Sequence, residues 1–190
     1  MEVSKDFGPL QQHANRSNHC STSLQFILNK FKVIKSFIDI GCGLGEQVRI
    51  AKELGLIAYG IDGDPSLKIY DDEIFIQHDF TTEPFLSGDY IYDLGWTVEF
   101  VEHVEEKYID NYMPQLSYCN RVLMTYAPPG QNGRHHVNCQ PQSYWINIFD
   151  NWGFELDIET SYEVRMASIN KWIRNKALFF TNRRLKALCE

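Results

Sequence analysis

The sequence has no Cys-x-x-Cys pair, and its five cysteines (Cys20, Cys42, Cys119, Cys139, Cys189) are an odd number. That argues against both a disulfide framework and a four-cysteine zinc site, and reduced thiols are expected. Long apolar runs are also missing. The longest, Leu24 to Leu28 and Tyr90 to Trp96, fall far short of the roughly 20 residues that cross a bilayer, so no membrane partner is expected. The opening MEVSKDFGPLQQHANRSN lacks the apolar core of a secretory signal, and a cytoplasmic location is the expectation. Repeats, linkers and low-complexity stretches are absent as well.

Positive charge is scarce. Eighteen Lys and Arg against 25 Asp and Glu give a net charge of −7, which disfavours nucleic acid as a partner, because phosphate-backbone affinity comes from clustered basic residues. The deficit is local: residues 71 to 110 hold 12 acids and one base, Lys107. Ser161 to Glu190 reverses the sign, with seven Lys or Arg against two Glu. Such a run reads as a solvated face or as a site for an anionic partner. What the chain does have is 44% apolar and 14% aromatic residues over 190 positions, enough for one globular core.

Leu24, Ile27, Leu28 and Phe31 keep helical spacing. A short strand, Ser36 to Ile40, runs into GCGLG, and Val48, Ala51 and Leu54 then mark one face of a helix closed by Gly55. Further strands are expected at Leu56 to Ile61, Ile74 to Gln77, Tyr90 to Leu94 (ending near Asp93), Arg121 to Tyr126, Phe154 to Ile158 and Ala177 to Thr181. Helices are expected over Glu99 to Leu116 and around Tyr144, Trp145, Ile148, Phe149 and Trp152, whose apolar face belongs to the core. Strands alternating with helices imply an α/β fold with a mostly parallel sheet covered on both faces. One domain spans 1–190: an N-terminal helical cap segment (1–35), a core (36–182) and a basic C-terminal tail (183–190).

Gly41, Gly43 and Gly45 stand between a strand and a helix, where small residues let backbone N–H groups approach a ligand. Asp62 follows at the end of the second strand, placed to accept hydrogen bonds from ribose hydroxyls. Together they point to a nucleoside cofactor. Glu46 stands where a dinucleotide fingerprint has its third glycine, and its carboxylate would repel a pyrophosphate.

In the segments D-I-G-C-G-L-G (39–45), Y-G-I-D-G-D (59–64), Q-H-D-F (77–80) and Y-D-L-G-W-T-V-E-F-V-E-H-V (92–104), the chain resembles the class I S-adenosylmethionine-dependent methyltransferases. The resemblance implies a doubly wound, Rossmann-like, seven-stranded sheet with one antiparallel strand near an edge. It implies S-adenosyl-L-methionine as cofactor. Asp39 would help hold the methionyl amino group, and Gly41, Cys42, Gly43 and Gly45 would wrap the methionyl part. Asp62 and the adjacent Gly63 would take the ribose, and His78, Asp79 and Phe80 the adenine. Trp96 and Tyr126 are expected to line the cofactor or substrate pocket.

Methyl transfer needs alignment, exclusion of water and, for a hydroxyl acceptor, removal of a proton. Glu99, Glu102 and His103 follow the fourth strand at i, i+3, i+4, which on a helix is one face. His135 and His136 follow the fifth strand and are expected to meet them across the cleft. The E-F-V-E-H spacing also resembles the small-RNA 3′-terminal ribose methyltransferases, in which such residues hold a metal. That implies Glu99, Glu102, His103 and a fourth ligand from His136 or His135, with His136 preferred, holding Mg or Mn. Without a metal, His103, Glu102 and His136 are the expected catalytic groups. Phe7, His13, His19, Tyr162 and Arg165 are candidates for a substrate lid. The expected function is methyl transfer to an oxygen, or a nitrogen, of a small polar or sugar-like acceptor. The alternatives are a metal-assisted ribose methyltransferase acting on an RNA 3′ end and a non-catalytic S-adenosylmethionine-binding subunit.

Overall fold

A computed structural model describes residues 20–65, 75–86 and 88–186. Helix α1 (Ser21–Lys30) precedes β1 (Ser36–Ile40), α2 (Glu46–Glu53), β2 (Ile57–Asp62), β3 (Phe75–Gln77) and β4 (Tyr92–Thr97). There follow α3 (Ile109–Ser117), β5 (Cys119–Met124), α4 (Gln142–Asn151) and β6 (Phe154–Leu156), then α5 (Ile158–Ala167), α6 (Lys171–Lys176), β7 (Leu178–Asn182) and α7 (Arg183–Lys186). The seven strands lie in the order β3-β2-β1-β4-β5-β7-β6. Strand β7 runs antiparallel to both neighbours, and β1 to β5 pair in parallel. This is the doubly wound sheet the sequence implies.

Alternation within strands separates two cores. Ile38, Val122 and Phe180 join Tyr112, Met113, Trp145 and Phe149 on one face, while Phe37, Leu123 and Phe179 join Leu24, Ile27, Val48 and Trp96 on the other. Every residue of β1 is buried, as a strand covered on both faces requires. Strand β1 pairs with β2 on one side and β4 on the other. The strand order therefore reverses beside it, and the crevice beyond the carboxyl ends of these strands is where this architecture places ligands.

Several expectations are corrected. Strand β4 extends to Thr97, so Asp93 lies inside it: its Oδ2 accepts from the backbone N–H groups of Lys35 and Ser36 (2.8 and 3.1 Å) and pins the start of β1 to β4. No single helix spans Glu99 to Leu116. Glu99 has φ of 56°, and two short 3-10 turns, Val101–His103 and Glu106–Tyr108, precede α3. The cause is competition for a carbonyl: Glu102 C=O accepts from the N–H groups of Val137 and Asn138 (2.9 and 3.1 Å), groups far along the chain, not from the following turn. Ile158 starts α5 and does not end a strand, because the Asp157 side chain caps that helix at Thr160 N–H. The expected tail begins as α7, with Arg183 donating to Asp150 (2.7 Å); residues 187–190, Cys189 among them, lie outside the described residues, as does Ile74. Among the described residues no helix is long and apolar enough to cross a membrane, and the four described cysteines are free thiols.

Candidate functional site

The first half of the crevice is built where β1 and β2 end. Gly41 and Cys42 donate their N–H groups to Ile61 C=O (2.9 and 3.1 Å), which folds the glycine loop back over β2. Gly41 has φ of 78°, and a Cβ there would come within 2.3 Å of the Phe100 ring, so no larger residue fits. Asp62 is held by the loop: Oδ2 accepts from Gly43 N–H (2.8 Å) and Oδ1 from Asp64 N–H (3.0 Å). Gly63 beside it is half-buried. Burial raises the Asp62 pKa, and these N–H bonds pull it back. Asp39, one strand over, is held well above the usual carboxylate range by burial and by the Asp62 charge. Gly45, in the left-handed region, opens α2.

The remaining cofactor candidates divide. Asp79 Oδ1 accepts from Thr81 N–H and Oγ1 (2.8 and 2.7 Å), closing the turn after β3. His78 Nε2 donates to Glu83 C=O (2.8 Å), and Phe80 packs edge-on against His78, Phe100 and Tyr112. The Cys42 thiol faces inward beneath Gly60, where an added Cβ would meet it at 2.6 Å, so only the backbone of Cys42 fronts the crevice. Trp96 is corrected: it is 2% exposed and packed against Phe37 in the core on the opposite face from Tyr126.

The second half lies beyond β4 and β5. Glu102, His103 and His136 meet there, with a ligand atom from each within 4.8 Å of the others. The His103 and His136 rings stand edge to face, 5.0 Å between centroids. His103 Nδ1 donates to His135 C=O (3.1 Å), which orients its ring. His135 itself, at φ 58°, contributes a carbonyl and not a ring. Glu102 is fully buried, and neither carboxyl oxygen has a hydrogen bond of good geometry. Burial first, and then the Glu99 charge, push its pKa up to about 8. His136 is lowered, chiefly by burial and also by Lys176, and so is neutral near pH 7. Glu99 stands at the edge of this set: its N–H donates to Thr125 Oγ1 (2.9 Å), its Oε1 accepts from the same hydroxyl (3.3 Å), and its carboxyl also interacts with that of Glu102.

Sequence reasoning missed several residues here. Asn138, 3% exposed, has neither amide atom hydrogen-bonded, and the Tyr112 hydroxyl and Trp145 Nε1 are buried without partners. Lys176, at the end of α6, donates to Gln131 Oε1, and its charge acts on Glu99, Glu102 and His136. Only its place in the basic stretch marked it. Tyr126 donates to Gln142 Oε1 (3.2 Å) at the end of β5. Of the lid candidates, Tyr162 is exposed on α5 and Arg165 Nε donates to Ala177 C=O (2.8 Å). Phe7, His13 and His19 lie outside the described residues.

No protein-family model and no curated protein matches the sequence. Solved structures do match in fold. A TehB-like SAM-dependent methyltransferase from Corynebacterium glutamicum superposes with a TM-score of 0.64 at 15% identity, covering 90% of this chain and 93% of the other. The sugar N-methyltransferase KedS8 from a Streptoalloteichus species gives 0.69 at 9% identity, over 96% and 98%. The methyltransferase domain of bacterial CtHen1-C gives 0.56 at 16%, over 91% and 98%. At such identities the likeness establishes the fold: this chain has the Rossmann-like architecture of the S-adenosylmethionine-dependent methyltransferases.

Proposed function

We propose that the protein is an S-adenosylmethionine-dependent methyltransferase acting on an oxygen, or a nitrogen, of a small polar or sugar-like acceptor. One observation carries this reading: Asp39 and Asp62 stand at adjacent strand ends around a glycine loop whose Gly43 N–H orients the Asp62 carboxylate. The residues fit the cofactor chemically. Bound there, it supplies an electrophilic methyl on a sulfonium. Asp39 is placed to receive an ammonium, Asp62 to accept from ribose hydroxyls, and an acidic crevice favours a cationic ligand over a polyphosphate. Calorimetry with S-adenosylhomocysteine tests it; binding in the micromolar range is expected, and no binding to folded protein would refute it.

For the acceptor, the chain offers two imidazoles and a buried carboxyl. The His103 ring, oriented by its Nδ1 bond to His135 C=O, is the group to take a proton from the acceptor as its oxygen or nitrogen attacks the methyl carbon. Neutral His136 stands against that ring. Glu102 adds a group able to hold a proton out of contact with water.

A second reading rests on the same cluster. Glu102, His103 and His136 could hold a divalent cation, which would supply Lewis-acid polarisation of an acceptor hydroxyl, and two neighbouring carboxyls at Glu99 and Glu102 suit a cation. Two imidazoles fit manganese better than magnesium, which favours oxygen ligands. Transfer to an RNA 3′ end that stops with a chelator and with His136→Ala would favour this reading, and activity indifferent to both would remove it.

A further inference from the structure

Helix α6 carries Lys171, Trp172, Arg174 and Lys176 in six residues. Lys171 Nζ stands 4.2 Å and Lys176 Nζ 5.6 Å from the centroid of the half-buried Trp172 ring. The four ion pairs among the described residues engage Lys30, Arg49, Lys107 and Arg183, so neither of these lysines has a carboxylate partner there. The indole face holds the two ammonium groups together by cation–π attraction, and with no carboxylate at ion-pair distance among the described residues their positive charge stays open to an anion. The helix is set deliberately. Asn170 caps it by accepting from the N–H groups of Trp172 and Ile173 (2.9 and 3.4 Å), and Lys176 ties its far end to Gln131. Cys139, whose thiol donates to Gln131 C=O (3.7 Å), joins that loop to His136. The end of α6 therefore lies beside the carboxyl end of β5, where β7 begins opposite Met124, with Lys176 tied to the loop that carries His136; the charges of Lys171 and Lys176 both reach Glu99.

Resting on the methyl-transfer reading, we infer that the acceptor is a small acid, its phosphate or carboxylate received by Lys171 and Lys176 and its apolar or ring portion laid against Trp172. The division of charge is consistent with this. The acidic ends of β1 and β2 suit a cationic donor, and the basic helix across the crevice suits an anionic acceptor, so each ligand is steered to its own half. Neutralising a bound anion needs no further group from the protein, and the reacting oxygen or nitrogen remains free to face His103.

The first test uses inorganic phosphate on the whole protein at fixed ionic strength, read on the indole N–H resonance of Trp172. A saturable shift is expected, reduced about tenfold in affinity by Lys171→Met or Lys176→Met and restored by Lys176→Arg. The second test compares a neutral sugar with its phosphate monoester and its uronate as acceptors. The acids are expected to give at least tenfold higher kcat/KM, with Lys171→Met raising KM and sparing kcat. No saturable shift, or preference for the neutral sugar, overturns the inference. An oligoribonucleotide that binds far more tightly than its own 3′-terminal nucleotide would also overturn it, in favour of nucleic acid. Failure of the underlying reading looks different: S-adenosylhomocysteine would not bind, while phosphate would still shift Trp172.

Discussion

The two halves of the crevice hold Asp62 and Glu102, their key carboxyls, in different ways. Beside β1 and β2, the Asp62 carboxylate is satisfied by backbone N–H groups before any ligand arrives, and Asp79 closes its own turn. Beside β4 and β5, Glu102, Asn138, Tyr112 and Trp145 are buried with polar atoms unpaired. Each such group costs on the order of 1–3 kcal/mol, so that half is poorly arranged for stability. The difference teaches that the Asp62 carboxylate is oriented before a ligand arrives, while the Glu102 carboxyl is held by burial and its Glu99 neighbour alone.

The largest expected effect tests that contrast directly. Glu102→Gln should lower turnover by about 10² to 10³-fold, as loss of a proton-holding or ligating group does. It should leave the urea midpoint unchanged or raised, because it removes a buried, unpaired carboxyl. A large loss of stability would show instead that Glu102 serves the core. Asp62→Asn is expected to weaken S-adenosylhomocysteine by roughly 10 to 100-fold, the scale of one or two charge-assisted hydrogen bonds, measured by calorimetry. Unaltered affinity would make the Gly43 contact a matter of loop folding only.

A pH series sharpens the donor side. Burial and the neighbouring Asp62 charge raise the Asp39 pKa in the free protein, and an ammonium ligand requires its ionised form. Affinity for S-adenosylhomocysteine should thus climb with pH through the raised pKa, by up to about tenfold per unit, and level off above it. Asp39→Asn should bind more weakly and show no such climb. The smallest effect concerns the frame. Gly60→Ala would put a Cβ 2.6 Å from Cys42 Sγ and 2.9 Å from Val48 Cγ2, a packing clash worth roughly 1–3 kcal/mol in urea unfolding. Unchanged stability would mean that the loop yields easily, and that the donor side is less rigid than its hydrogen bonds imply.

The glycine loop, its flanking acids and the strand-helix alternation were legible because each is local: apolar spacing and turn residues report the backbone directly. The site beyond β4 was legible only in its residue types. Glu99, Glu102 and His103 keep helical spacing, yet the Glu102 carbonyl is taken by Val137 and Asn138, and the helix gives way to 3-10 turns. Trp96 was misplaced because a large aromatic at a strand end reads the same whether it faces a cleft or the core.

By itself the sequence determined the α/β class, the crossover chemistry at Gly41 to Gly45 and the acids at or just past the ends of β1, β2 and β3, since these depend on periodicity and on residues a few positions apart. Tertiary structure alone decided that His136 meets His103, that the Glu102 carboxyl is buried, and that Lys176 at the end of α6 reaches Gln131. Those placements are set by hydrogen bonds and packing between segments some 30 to 75 residues apart, for which no local pattern carries a signal.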